Sequence, residues 1–296
     1  MTLGRRVTAL GLDLRSRLSE FAPPAAGRCG TSPALGAGRM LVANGRQFHP
    51  RSRTAIVPLD GDGRVAVDLR TAHGRRLFAF GFCEPASRAM RSLLSPGDVV
   101  IDAGANIGLF TVLAAACVGS DGHVIACEPY PATAKLLRDN VARNGFGSVD
   151  VREVAVAEHD GTLDMHVFEP GSGFSSFAPA DTVGAVQIQV PVTTLDGVAG
   201  EFLDRTGLVK IDVEGAELRA LRGAKDLLER ARPDFIIELE PEHLERQGAS
   251  VAEVRELFED AGYVGYSIGD AGLEVLSGGW DRPAGDPNIV VRPKER

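Results

Sequence analysis

The sequence predicts an α/β fold: a mostly parallel, doubly wound sheet that closes with an antiparallel edge strand and carries a helix and β-meander appendage ahead of it. Three observations predict it. From Val99 onward, short apolar runs alternate with helix-like stretches. Several of those runs end in a carboxylate: Asp102, Glu128, Asp212 and Glu238. The first run enters a Gly-punctuated turn, Asp102 to Gly108, that opens straight into an apolar helix.

In chain order, residues 1–52 read as an N-terminal helix and linker. Met1 to Glu20 sets Arg5, Arg6, Arg15 and Arg17 among Leu and Val without a continuous apolar core, which fits a docking helix better than a targeting segment. The Pro, Ala and Gly content of Pro23 to Gly38 reads as the linker. Residues 53–95 read as an antiparallel meander followed by a helix. Val65, Val67 and Leu69 alternate with polar or small residues, as do Phe78, Phe80 and Phe82, and Asp60 to Gly63 and His73-Gly74 supply turns. A helix is expected from Glu84-Pro85 to Leu94.

Residues 96–296 read as the main domain. Beyond the first strand and a second one at Gly122 to Glu128, strands are expected at Asp150 to Val156, Leu208 to Asp212, Phe235 to Leu239, Tyr263 to Ile268 and Ile289 to Arg292. Helices are expected at Pro131 to Asn144, Ala216 to Arg230 and Val251 to Ala261. The last two strands follow one another through a turn-rich segment, which predicts the antiparallel strand.

The 296 residues, 44% hydrophobic, suffice for one large core and an appendage. A net charge of −8 with dispersed Lys and Arg offers no stripe for a phosphate backbone, so nucleic acid is not the expected partner. Cys29, Cys83, Cys117 and Cys127 show no C-x-x-C spacing, and two of them lie in apolar stretches of the expected core, which reads as buried thiols of a reducing compartment and a cytoplasmic location. No uninterrupted run of 18 apolar residues is present, and a homo-oligomer is compatible with the sequence.

The turn reads D-x-G-x-N-x-G over Asp102, Gly104, Asn106 and Gly108, not the dinucleotide G-x-G-x-x-G. Asp102 would repel a pyrophosphate, whereas S-adenosylmethionine carries no phosphate and has a cationic amino-acid end. Glu128 follows Gly108 by about 20 residues, the offset of a carboxylate that grips ribose hydroxyls. These five residues are the expected cofactor contacts. A nicotinamide-dependent oxidoreductase and a non-catalytic ligand-binding protein on the same fold are the alternatives.

Two carboxylate clusters end later strands: Lys210 to Glu217, and Ile236 to His243. Glu214 and Glu217 suit the first turn of a helix, where they complement its dipole. Asp212 and Glu238 are harder to explain structurally, because a carboxylate ending a buried strand loses hydration unless it binds something.

On Pro96 to Gly108, Glu128-Pro129, Thr194-Leu195-Asp196 and Lys210 to Glu217, the chain resembles the FkbM-type S-adenosylmethionine-dependent methyltransferases over roughly Gly81 to Arg292. The resemblance implies a Rossmann-like class I methyltransferase fold and O-methylation of a hydroxyl on a sugar, polyketide or related small molecule. Removal of that hydroxyl's proton calls for a base, with Asp212 first, then Glu238, then His243. Asp212 and Glu238, with Glu240 as a third, could instead hold Mg²⁺, the less favoured reading. Gly171 to Phe177 is a candidate loop over the site.

Overall fold

The computed structural model describes residues 33–46, 53–59, 63–82, 84–167, 175–176, 186–280 and 287–294. The expected helix at Met1 to Glu20, most of the Gly171 to Phe177 loop, Cys29 and Cys83 lie outside them. The chain divides into two compact units, one of residues 1–60 and 66–83, the other of residues 61–65 and 84–296.

In the first unit, α1 (Pro33–Arg46) precedes the paired strands β1 (Thr54–Pro58) and β2 (Arg64–Asp68), followed by α2 (Ala72–Phe80). Ala55 and Val57 of β1 are buried between exposed neighbours, the alternation of a strand with one covered face. Two expectations are corrected here. The proposed linker runs into α1 from Pro33, because Met40 packs with Ala79 and Phe80, and Gly36 leaves room for the Phe80 ring, whose Cε1 would stand 2.2 Å from a Cβ. The proposed third strand of a meander is α2. Thr71 caps it by accepting a hydrogen bond from Gly74 N at 2.9 Å, and Gly81, at φ 83°, ends it. Phe82 lies beyond that stop, so the period-two reading of Phe78, Phe80 and Phe82 crosses a helix terminus.

The second unit begins with α3 (Pro85–Leu93) and is built on an eight-stranded sheet. Its parallel body comprises β3 (Val99–Ala103), β4 (His123–Cys127), β5 (Val149–Arg152), β10 (Thr206–Ile211) and β11 (Asp234–Glu238). β12 (Tyr263–Ile268), β13 (Leu273–Val275) and β14 (Asn288–Pro293) complete the order β13-β12-β14-β11-β10-β3-β4-β5. β14 is antiparallel to both β11 and β12 and sits between them, one place inside where a sequential reading puts it. The antiparallel edge strand is β13, three residues long, in the segment that reads as turns. All five positions of β3 are buried, as expected of a central strand covered on both faces.

The helices of the sheet are α4 (Leu109–Val118), α5 (Pro131–Asn144), α6 (Leu195–Ala199), α7 (Glu217–Arg222), α8 (Pro241–Arg246) and α9 (Val251–Asp260). The single helix expected over Ala216 to Arg230 is broken: α7 stops before Gly223, where a Cβ would come within 2.2 Å of the Ala157 carbonyl oxygen, and a separate π-helical turn covers Leu227–Ala231. The strand expected over Asp150 to Val156 is likewise two strands. β5 stays in the main sheet, while β6 (Ala155–Val156) joins β7 (Gly161–Val167), β8 (Ser175–Ser176) and β9 (Val186–Thr193) in a second, four-stranded sheet. Thr194 caps α6, and Asp196 accepts the amides of Asp226 and Leu227, each at 2.9 Å, so this part of the resemblance motif ties α6 to the π-helical turn. Among the described residues no helix is long and apolar enough to cross a membrane.

Candidate active site

Strand order reverses between β3 and β10: the chain leaves β3 toward β4 and β5 on one side and later returns to β10 and β11 on the other. Ligands of such sheets bind at the carboxyl ends flanking this switch point, where adjacent loops diverge. Asp102, Glu128, Asp212 and Glu238 all end strands on this edge, and the strand pairings set Asp102 beside Lys210.

The turn after β3 is pinned on two sides. Gly104 and Ala105 both donate to the Cys127 carbonyl at 3.0 Å, and Asp212 N donates to the Ala103 carbonyl at 3.0 Å. Gly104 stands at φ 82°, and a Cβ there would lie 1.8 Å from the Asp212 carbonyl oxygen, so strand packing alone requires glycine. Asn106 adopts a left-handed φ of 51°, a conformation that Asn tolerates better than most residues, and this aims its amide at Glu128 Oε2, 3.1 Å away. Gly108, at φ 94°, starts α4 with its missing Cβ against Leu137.

Glu128 accepts the Asn106 amide on Oε2 and the Tyr130 amide, at 2.9 Å, on Oε1. Each carboxylate oxygen has a second acceptor position, so the group remains able to take a vicinal pair of hydroxyls. Burial raises its pKa to about 7 against the pull of the two amides. Asp102 is buried, and its Oδ2 accepts the Thr111 hydroxyl at 2.5 Å while Oδ1 has no hydrogen-bond partner among the described residues. Burial pushes its pKa up, opposed by the Lys210 ammonium and the Thr111 hydroxyl.

Lys210 is the buried cation of this edge. Its Nζ donates to Asp212 Oδ2 at 2.9 Å and stands 4.4 Å from the centre of the Phe110 ring. Burial works against its charge, but Asp212 and Asp102 outweigh that and hold its pKa above the usual value. Asp212 is a third exposed, and although burial works against its ionisation, Lys210 and a hydrogen bond from Glu238 lower its pKa. Glu238 moves the opposite way, pushed up by burial, then by the charge and the hydrogen bond of Asp212. The two shifts are opposed because like charges on one site disfavour ionisation of both carboxyls, and Lys210 favours the charge on Asp212.

His243, on α8, reaches the same cluster: its Nδ1 lies 3.3 Å from Glu214 Oε2. Glu214 is not in the first turn of a helix. It occupies the connection before α7 at φ 54°, and burial, then Asp212 and Glu217, raise its pKa to about 7. The connection itself is held by Glu217, whose Oε1 accepts the amides of Val213 and Gly215 at 3.1 Å. Gly215 lies under α8, where a Cβ would meet the His243 carbonyl oxygen at 2.3 Å. Glu214 and Lys210 are thus members of the cluster that a strand-end criterion passes over. Their signal is the alternation that puts Lys210 and Asp212 on one face of β10. Glu240 begins α8, its carbonyl accepting the His243 amide at 3.0 Å. Among the described residues, no group of three or more His, Cys, Asp or Glu side chains is arranged to hold a metal ion, the set of Asp212, Glu238 and Glu240 included.

The model of the methyltransferase FkbM domain matches residues 102–264, more than half of the chain. The chain is 32% identical over 163 residues to the 31-O-demethyl-FK506 methyltransferase FkbM of Streptomyces tacrolimicus, a match covering 45% of this chain and 62% of that one. It is 28% identical over 201 residues to Methyltransferase sdnD of Sordaria araneosa, covering 57% and 75%. It is 28% identical over 146 residues to Methyltransferase 1 of Beauveria bassiana (strain ARSEF 2860), covering 43% of this chain and 58% of that one. The crystal structure of Methyltransferase FkbM from Methylobacillus flagellatus KT aligns with a TM-score of 0.43 at 14% identity, over 86% of this chain and 58% of that one. The domain match falls on the turn, the ribose-clamp candidate and both carboxylate clusters, and on these grounds the chain belongs to the FkbM family of S-adenosylmethionine-dependent methyltransferases.

Proposed function

We propose that this chain transfers a methyl group from S-adenosylmethionine to a hydroxyl oxygen of a small molecule, with a sugar or a polyketide as the acceptor class. The observation that carries the reading is the proximity of two groups on one sheet edge: a turn tied to an underused carboxylate at Glu128, and the strand-end carboxyls Asp212 and Glu238 beside the buried Lys210. The name of the Streptomyces relative, which specifies an O-demethyl substrate of its own, supports the choice of oxygen. We assign the cofactor and acceptor chemistry to residues 96–296, which hold every residue named for it.

The donor set fits the cofactor. Glu128 would take the ribose hydroxyls, with Asn106 fixing the carboxylate that does so, and the turn from Gly104 to Gly108 would bound the amino-acid end together with the negative charge near Asp102. When bound, the cofactor supplies an already activated methyl on a sulfonium. What remains for the protein is alignment of the acceptor oxygen and care of its proton, and alignment alone supplies several kcal/mol. In this reading Asp212 accepts a hydrogen bond from the acceptor hydroxyl, Glu238 holds Asp212 in that orientation, and Lys210 favours the charge on Asp212.

The test is incubation of the protein with methyl-tritiated S-adenosylmethionine and a panel of hydroxylated sugars and polyketides, reading labelled ether and S-adenosylhomocysteine. Asp212→Asn should lower kcat by about 10²-fold, the cost of a misoriented acceptor, with little change in cofactor affinity. Label that appears only on nitrogen or carbon acceptors would overturn the hydroxyl assignment.

A further inference from the structure

The carboxyl pair orients well but is a poor sink for a proton. Lys210 and Glu238 both make Asp212 less basic than an ordinary carboxylate, and proton-transfer catalysis is most effective when the acceptor's basicity matches the working pH. Imidazole is the side chain whose basicity matches neutral conditions. His243 stands on this edge, a third exposed, with its Nδ1 3.3 Å from Glu214 Oε2.

The way Glu214 reaches His243 is unusual for a bland surface contact. Its backbone is left-handed at φ 54°, a conformation that costs a non-glycine residue stability, and the next residue is a glycine wedged under the His243 carbonyl. Glu217 fastens this connection by taking the amides of Val213 and Gly215, so the strained turn is held from both ends. The surroundings of Glu214 are otherwise mostly acidic: Asp212, Glu217, Glu238 and Glu240 against Lys210. A carboxylate in such company, on a strained residue, is a costly way to build a turn.

We propose that His243 accepts the acceptor's proton during methyl transfer and that Glu214 is its positioning residue, fixing the imidazole through Nδ1 so that Nε2 is the basic nitrogen. The inference rests on the O-methylation reading and deepens it. As the acceptor oxygen forms its bond to the methyl carbon, the carbon–sulfur bond breaks and its electron pair stays on sulfur, leaving a neutral thioether. The hydroxyl proton passes to His243 Nε2, and the resulting imidazolium is stabilised by Glu214 and Asp212 until it returns the proton to water.

Three readouts test this. In the ¹⁵N spectrum of the wild-type protein at a pH where the ring is neutral, His243 carries its proton on Nδ1; a proton on Nε2 would overturn the proposal, and this measurement needs no acceptor. Glu214→Gly removes the carboxylate and relieves the left-handed strain, so the melting temperature holds or rises while kcat falls at least tenfold and the acceptor KM stays within about twofold. Loss of stability with unchanged kcat would show Glu214 to be a structural residue and overturn its role. His243→Ala should lose activity that added imidazole partly restores, whereas full activity without imidazole would overturn the base. Calorimetry with S-adenosylhomocysteine on the same preparations separates the two levels: wild-type protein that binds none refutes the methyltransferase reading, while normal binding with an active His243→Ala variant refutes only the proton route.

Discussion

The Asp212 carbonyl oxygen occupies the space that a side chain on Gly104 would need, 1.8 Å from the position of its Cβ. The turn after β3 and the carboxylate at the end of β10 are thereby locked to one another, and the Asp212 amide reinforces the lock by donating to the Ala103 carbonyl. The residues proposed for the cofactor and those proposed for the acceptor therefore meet at one backbone contact.

Gly104→Ala should therefore destabilise the fold, by about 1–3 kcal/mol, because the added methyl meets backbone and the left-handed φ is strained for alanine. Urea unfolding measures it. A loss of a few tenths of a kcal/mol would show that the two strand ends separate easily.

Lys210 is the counter-charge for Asp102 and Asp212, so Lys210→Met should cost about 3–5 kcal/mol at neutral pH by leaving buried carboxylates uncompensated. Thr111→Val, which removes the 2.5 Å hydrogen bond to Asp102, should cost about 1–3 kcal/mol. Denaturant titration of both variants checks the ranking; a Lys210→Met protein as stable as the wild type would contradict it.

Stability should fall as pH rises from about 5 to 8. Glu128, Glu214 and Glu217 each have a folded pKa of about 7 against an ordinary 4.5, so the folded state holds their protons more tightly than the unfolded one. Their contribution is complete below pH 4.5 and disappears as pH passes 7. The lowered pKa of Asp212 acts in the opposite direction, but only in acid, outside this window. Melting curves across the range should show the decline, and Glu217→Gln, at a buried carboxyl whose Oε2 has no partner among the described residues, should flatten it. A melting temperature that is level from pH 5 to 8 would contradict these raised values.

What sequence reasoning reached was local. The turn at Asp102 to Gly108 declares itself because left-handed backbone at Gly104 and Gly108 demands glycine, and strand-end carboxylates are visible wherever an apolar run stops at one. It missed what non-local packing decides. The break at Gly223 depends on the Ala157 carbonyl, 66 residues earlier, and the insertion of β14 between β11 and β12 depends on edge pairing that no local period encodes. The split of Asp150 to Val156 likewise follows from β6 pairing with the distant β9. Glu214 was hidden by a sound local rule, since an acidic residue three positions before Glu217 looks like a helix start until the backbone shows that α7 begins only at Glu217.

The central claim is that the Gly104 to Gly108 turn and Glu128 form an S-adenosylmethionine site, and calorimetric titration of S-adenosylhomocysteine into wild-type and Glu128→Ala protein tests it most directly. The account predicts saturable binding to the wild type, no comparable heat with NAD, and a loss of about 1–3 kcal/mol in the variant, roughly 5- to 150-fold in Kd. Correctly folded wild-type protein that gives no heat with S-adenosylhomocysteine, or a Glu128→Ala variant that binds it as tightly as the wild type, would contradict it.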